Sequence, residues 1–252
     1  MSCMYYMSLN YAIFGSGISA QGARGLALSH GSQVVLFDES GQGDRADFSS
    51  EDLSKFDALI FSPGFAADHP WRILAEVSGL PCLSELAFAS RYWKGRIIGV
   101  TGTNGKSTVT ELLERALQIS KLTSISAGNI GYSFSEAVLS DLNCPDAYAV
   151  IEISSFQAEL TSGLELDALL WTNLAEDHLD RYASVDDYFM AKARLLQCLK
   201  RKEACVIGPQ VAPWICNMHR EFTSCIFEEK GTPSSYKLSL IHISEPTRQQ
   251  GI

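Results

Sequence analysis

Short apolar runs recur along the first ninety residues, each closed by glycine, proline or a small polar residue and each followed by a stretch of helical spacing. Residues 11–14 predict a strand, and Gly15, Ser16, Gly17, Ile18, Ser19 and Ala20 predict a turn opening a small-residue helix to about position 29. Residues 34–37 predict a second strand ending on Asp38, and residues 57–61 a third that runs into Ser62, Pro63 and Gly64. A helix near 71–77, a short strand near 80 and a helix from 84 complete the series. Strands alternating with helices predict a small parallel sheet with helices on its faces.

Around Trp93, Lys94 and Gly95 the pattern restarts, which sets a boundary between a first unit, 1–93, and a second, 94–236. The second unit reads as strand 96–100, helix 106 to about 120, strands near 122–126, 147–153 and 168–171, helix 185–199 and strand 204–207. Its alternation is again that of an α/β sheet. Residues 237–252 have no clear place in either unit and resemble a translated adapter, so they are expected to be a non-native tail.

Composition narrows the field. No run nears the roughly 18 apolar residues of a membrane helix, and residues 1–10 lack a basic, then apolar, leader, so a cytoplasmic address without a membrane partner is expected. Seven scattered cysteines, none spaced C-x-x-C, read as free thiols, not as disulfides or a zinc site. A net charge of −9 argues against a nucleic-acid partner, which needs clustered Lys and Arg. Any phosphate must therefore be held locally.

The strongest local signal is Gly102, Thr103, Asn104, Gly105, Lys106, Ser107 and Thr108, between an apolar strand and an amphipathic helix. Glycines let successive N–H groups curl toward phosphate oxygens, and the helix N-terminus adds partial positive charge. Lys106 would neutralise the β and γ phosphates, and the Ser107 hydroxyl would ligate magnesium. Val100 stands where the generic pattern has its first glycine, so the turn is a variant. The plainer reading, a polar strand-to-helix loop, is outweighed by the correct flanks. The earlier turn, with Gly15, Gly17 and Ala20 and Asp38 downstream, fits a looser dinucleotide fingerprint, but a tight turn that only packs helix on strand explains it equally well.

Glu152 closes an apolar strand, where α/β sheets place ligands, and a carboxylate there asks for a partner or a cation. The stretch 172–182 is dense in groups that bind metal or ligand, although an Asp-His pair in a loop is more often plain surface. Nothing local singles out Lys192, which alone reads as solvated.

Together these segments resemble the Mur ligase family. The likeness rests on Ser62, Pro63 and Gly64, on the run 101–108, on Gly128, Asn129, Ile130 and Gly131, on the run 152–157, on 173–182, and on Ala191, Lys192 and Arg194. The segments at 128–131 and 152–157 point to the branch that adds D-glutamate to UDP-N-acetylmuramoyl-L-alanine. The resemblance implies a Rossmann-like domain for the UDP end of the substrate, a P-loop-containing α/β central domain, incomplete here, and a third domain beyond this chain. By that likeness Ile18, Ser19, Asp38 and Gly64 contact the uridine diphosphate, and Asn129 and His178 the muramoyl-alanine portion. Ser107 and Glu152 hold one Mg2+, while His178 and a carbamylated Lys192 hold the second. Glu39 and Ser40 replace the family's Thr-Arg after the aspartate, which leaves the contacts there different.

The implied chemistry is phosphorylation of the alanyl carboxylate by ATP, then attack of the D-glutamate amine. Lys106, Glu152, His178 and Lys192 would form the catalytic group in a monomer. Without the third domain the chain is expected to bind substrate weakly, not to complete ligation, and to expose a sheet edge. The rivals are another ligase of the superfamily, adding alanine, a diamino acid or glutamate to folate, and a non-catalytic nucleotide-binding module. A dinucleotide oxidoreductase fits less well, because it does not need the turn at 102–108.

Overall fold

The computed structural model describes residues 9–218, 224–228 and 237–241. Four strands, β1 (Asn10–Phe14), β2 (Gln33–Phe37), β3 (Ala58–Phe61) and β4 (Cys82–Ser84), pair in parallel in the order β2-β1-β3-β4. Helices α1 (Ile18–Ser29), α2 (Pro70–Val77) and α3 (Glu85–Ser90) connect them. Residues 11–14 of β1 are all buried because both sheet faces are covered. The period of two sends Tyr11 and Ile13 toward α1 and α3, and Ala12 and Phe14 to the opposite face. On that second face Phe14 stacks on Phe61, ring centroids 4.2 Å apart, and Phe37 and Trp71 close the cluster.

The second sheet has seven strands in the order β11-β10-β9-β8-β5-β7-β6. They are β5 (Arg96–Thr101), β6 (Ser124–Gly128), β7 (Tyr148–Glu152), β8 (Ala168–Trp171), β9 (Cys205–Ile207), β10 (Ser224–Glu228) and β11 (Lys237–Ile241). All pairings are parallel except that of β10 with β11. Helices α4 (Lys106–Ile119), α5 (Phe134–Leu139), α6 (Val185–Gln197) and α7 (Ala212–Met218) accompany them. The α/β class with parallel sheets agrees with the expectation, and β5 begins just after the expected boundary at 93 and 94.

Three features differ from the sequence reading. Residues 237–241, set outside the fold, form β11 against β10, so the edge beside β9 is covered by two further strands. Residues 242–252 lie outside the described residues. Helices α5 and α7 and strand β10 were not expected, and β6 starts at Ser124, two residues later than its apolar run suggested. Lys121 adopts a positive φ of 61° and turns the chain there.

The two sheets are joined by one continuous apolar core. Phe88 and Trp93 from the first unit meet Ile97, Phe134 and Ala137 of the second in it. Helix α5 packs on α1 and α3, and Gly22 of α1 lies so near Ser133 that a Cβ would collide with its side chain. In both sheets the connections reverse direction beside a central strand, β1 or β5, and the crevice at its C-terminal end is where such folds seat ligands.

Candidate active site

The turn after β5 is fastened from below by the residues that follow β8. Thr103 Oγ1 accepts the Ala175 N–H at 3.0 Å, the Asn104 N–H donates to Asn173 Oδ1 at 2.9 Å, and Thr172 Oγ1 donates to the Asn104 carbonyl at 2.8 Å. Gly102 has φ +146°, and a Cβ there would run into Thr172 Oγ1, so only glycine lets the strand enter the turn this closely. Gly105, at φ +77°, precedes α4, whose first N–H groups have no side-chain cap. Ser107 and Thr108 are exposed in that first turn. Lys106 Nζ donates to the Thr103 carbonyl at 2.8 Å, so its ammonium lies over the loop. Uncapped N–H groups, a hydroxyl and an ammonium around one turn are groups that could hold a phosphate.

Glu152, at the end of β7, is 2% exposed. Its Oε1 accepts Asn129 Nδ2–H at 3.0 Å, whereas Oε2 is buried without a hydrogen-bond partner among the described residues. An ionised carboxylate with a bare buried oxygen is costly, and a cation is the partner that relieves the cost. Among the described residues no three of His, Cys, Asp and Glu gather into a preformed metal cage, so a cation here would need phosphate oxygens, the Ser107 hydroxyl or Lys192 to complete its shell.

Lys192 is not the solvated lysine its local sequence suggests. On α6 it is 1% exposed, donates to the Gly102 carbonyl at 3.0 Å and lies 4.8 Å over the Tyr188 ring. Burial first, and the charge of Lys106 second, push its amine down to about 7, against the opposing pull of Asp177 and Glu152. One amine thus feels three charged groups drawn from the ends of β5, β7 and β8. His178 has a positive φ of 54°, its ring 4.7 Å from Phe156 and 6.0 Å from Tyr188. The structure links Lys106 and Glu152 to Lys192 through its electrostatics, and His178 to Lys192 through Tyr188.

At the first sheet, Ile18 is two-thirds exposed at the start of α1, with Ser19 beside it. Asp38 Oδ1 accepts the Ser40 N–H at 2.9 Å, and the hydroxyls of Ser16 and Ser40 hold the carboxyl below its usual range. Gly64 is exposed after β3, and Gly15 crowds Ser62 across the crevice. Ile18, Ser19, Asp38 and Gly64 therefore share the C-terminal rim of β1, β2 and β3, while Asn129 belongs to the second sheet beside Glu152. Glu39, one of the departures from the family pattern, pairs with His69 at 3.3 Å.

Sequence reasoning missed Tyr188 and the Arg181–Glu159 pair. Tyr188 stands four residues before Lys192, a spacing that puts both on one helix face and could have marked it. Its hydroxyl lies 3.3 Å from Thr103 Oγ1, so α6 is tied to the phosphate turn at two points.

Two α/β units built on parallel strands, the second with a glycine turn leading into a helix at the switch point of its sheet, define the class of the protein as α/β with a turn of the kind that binds nucleotide phosphates. The model of the Mur ligase middle domain matches residues 100–228, and the chain belongs to the Mur ligase family. It is similar to the UDP-N-acetylmuramoylalanine--D-glutamate ligase of Leptospira interrogans serogroup Icterohaemorrhagiae serovar Lai (strain 56601), 31% identical over 83% of this chain and 46% of that protein. The protein of the same name from Aquifex aeolicus (strain VF5) is 33% identical over 75% of this chain and 44% of its own length. The chain spans about half the length of the curated relatives it matches. Among solved structures, the UDP-N-acetylmuramate:L-alanyl-gamma-D-glutamyl-meso-diaminopimelate ligase of Neisseria meningitides superposes with a TM-score of 0.55 at 15% identity, over 95% of this chain and 86% of that one. A murein peptide ligase of Psychrobacter arcticus 273-4 gives 0.52 at 14%, over 88% and 53%. At such identities the two share the fold. No helix among the described residues is long and apolar enough to cross a membrane.

Proposed function

We propose that this chain carries the UDP-substrate and ATP sites of a ligase that adds D-glutamate to UDP-N-acetylmuramoyl-L-alanine in building the peptide of the bacterial cell wall. The observation that carries the reading is the meeting of the Lys106 turn, the bare oxygen of Glu152 and the buried Lys192 at one end of the second sheet. The names of the relatives at 31–33% identity supply the substrate class.

In this reading a carboxylate oxygen of the alanyl group attacks the γ-phosphorus of ATP, and the bond to the ADP oxygen breaks. The amine of D-glutamate then attacks the acyl carbon, phosphate leaves, and the nitrogen loses a proton. The first step brings two anions together, so its barrier depends on positive charge held in place beforehand. Lys106 and the uncapped N–H groups of α4 supply it, and the Thr172 and Asn173 contacts keep the turn in shape. Ser107, Glu152, His178 and Lys192 are the groups that would hold Mg2+, which when bound neutralises phosphate charge. Burial favours the neutral amine of Lys192, the form able to take up CO2 as a carbamate and present an oxygen. Asn129 donates to Glu152 and fixes its carboxylate. Ile18, Ser19, Asp38 and Gly64 would hold the uridine diphosphate.

Calorimetric titration separates the substrate classes. The chain is expected to bind UDP-N-acetylmuramoyl-L-alanine and not a folate, and Asp38→Ala to weaken that binding by about tenfold. Preference for the folate would replace the reading with a folate-type ligase.

A further inference from the structure

We infer that Arg181, gripped by Glu159, is a positioning residue that clamps the loop around Gly64 onto the loop around His178. The role of these loops as substrate contacts rests on the function proposed above; the clamp itself rests on contacts alone. Arg181 lies three residues after His178, and its guanidinium reaches across to the first unit. Nη1 donates to the Pro63 carbonyl at 3.0 Å and Nη2 to the Phe65 carbonyl at 3.2 Å, one on each side of Gly64. The rest of the fork is fixed on Glu159, with Nε on Oε1 at 3.1 Å and Nη2 on Oε2 at 2.9 Å, and the plane lies 4.1 Å over the Phe156 ring.

Glu159 is the hub. It is 9% exposed, and its Oε2 also accepts Arg72 Nη1 at 2.6 Å from helix α2 of the first unit. Its Oε1 accepts the Tyr182 hydroxyl at 2.9 Å, and its backbone carbonyl accepts Arg194 Nη1 from α6 at 2.6 Å. Burial works to raise its carboxyl, but the hydrogen bonds from Arg181 and Arg72 win and hold it below the usual range, so it stays an anion. Arg72 Nη1 shares the Phe65 carbonyl, which fixes that loop a second time. On the other side the Arg181 and Tyr182 N–H groups both donate to the His178 carbonyl at 3.0 Å, closing the turn in which His178 holds its positive φ. The network borders a cleft of about 520 Å³ between the units, lined by Arg72, Glu159, Arg181, Tyr182 and Arg194.

A merely structural ion pair has no need to hold carbonyls on both sides of one glycine. A planar five-donor fork can serve two carbonyls and a carboxylate together, which an ammonium cannot. Arg181→Lys is therefore expected to fail almost as fully as Arg181→Met, while Glu159→Gln, which keeps the shape, gives an intermediate effect.

The test combines hydrogen exchange with two titrations on the chain as it stands. In both Arg181 variants the amides of residues 64–66 and 178–182 are expected to exchange about tenfold faster, with β1 and β5 unchanged. Affinity for UDP-N-acetylmuramoyl-L-alanine should fall about tenfold while that for Mg·ADP stays within about twofold. Unchanged exchange in the two loops overturns the clamp whatever the ligands do. So does loosening that spreads to β1 and β5 with equal loss of both ligands. If the unaltered chain binds Mg·ADP but no UDP-linked ligand, the substrate assignment falls, and the exchange data still decide the clamp by themselves.

Discussion

Lys106 and Glu85 show how differently two charged side chains can bear on this molecule. Among the described residues Lys106 spends its ammonium on one loop carbonyl and no carboxylate, so its charge is available to a ligand. Lys106→Ala is expected to weaken Mg·ATP binding by about tenfold or more in calorimetry, with a melting temperature unchanged within about 1 °C. Glu85 is 3% exposed at the interface of the units, where Oε1 accepts the Ser135 N–H at 2.6 Å and Oε2 has no partner among the described residues. Burial raises its carboxyl to about 7. Unfolded, it releases its proton near the ordinary value of about 4.3, so between there and about 7 the native state binds more protons and stability falls as pH rises. Glu85→Gln is expected to remove that slope, worth on the order of 3 kcal/mol across the window. Urea unfolding at the two ends measures it, and an unaltered slope would place the titration elsewhere. None of this was legible at residue 85, whose burial depends on a helix fifty positions away.

Helix α5 is short, yet it joins the units by packing on α1 and α3. Its start is written in the chain. Ser133 Oγ accepts the Glu136 N–H at 3.2 Å and Glu136 Oε2 accepts the Ser133 N–H at 2.8 Å, the reciprocal capping that a Ser-x-x-Glu spacing announces. Ser133→Ala is expected to cost about 1 kcal/mol in urea unfolding, and no measurable loss would show that tertiary packing alone fixes α5. The central strands were readable because each apolar run ended in glycine or a small polar residue. Helix α5 was missed because six residues leave too short a period to detect. The turn at 102–108 was legible despite Val100, since its strand and helix flanks carried the signal. The fastening of that turn by Thr172 and Asn173 was not, because those contacts cross some seventy positions of sequence.

Across the whole molecule, local pattern announced the parallel strands at the centre of the two sheets, while long-range contacts decided the chemistry. Glu152 was suspect from a carboxylate in an apolar strand; Lys192 entered by family likeness alone, and only its burial against Gly102 and Tyr188 gives it a physical reason. The Arg181 fork, which ties the two units beside both loops, has no local signature at all. The claim on which the rest depends is that these units present one pocket where Lys106, Glu152, His178 and Lys192 receive a nucleotide with its metal. The most direct test is electron paramagnetic resonance of Mn2+ titrated into the chain with ATP, using the unaltered protein and Glu152→Gln. Mn2+ should bind in an ATP-dependent manner, and Glu152→Gln should weaken that binding by about tenfold. Equal Mn2+ binding by the two proteins, or binding indifferent to ATP, would contradict the claim.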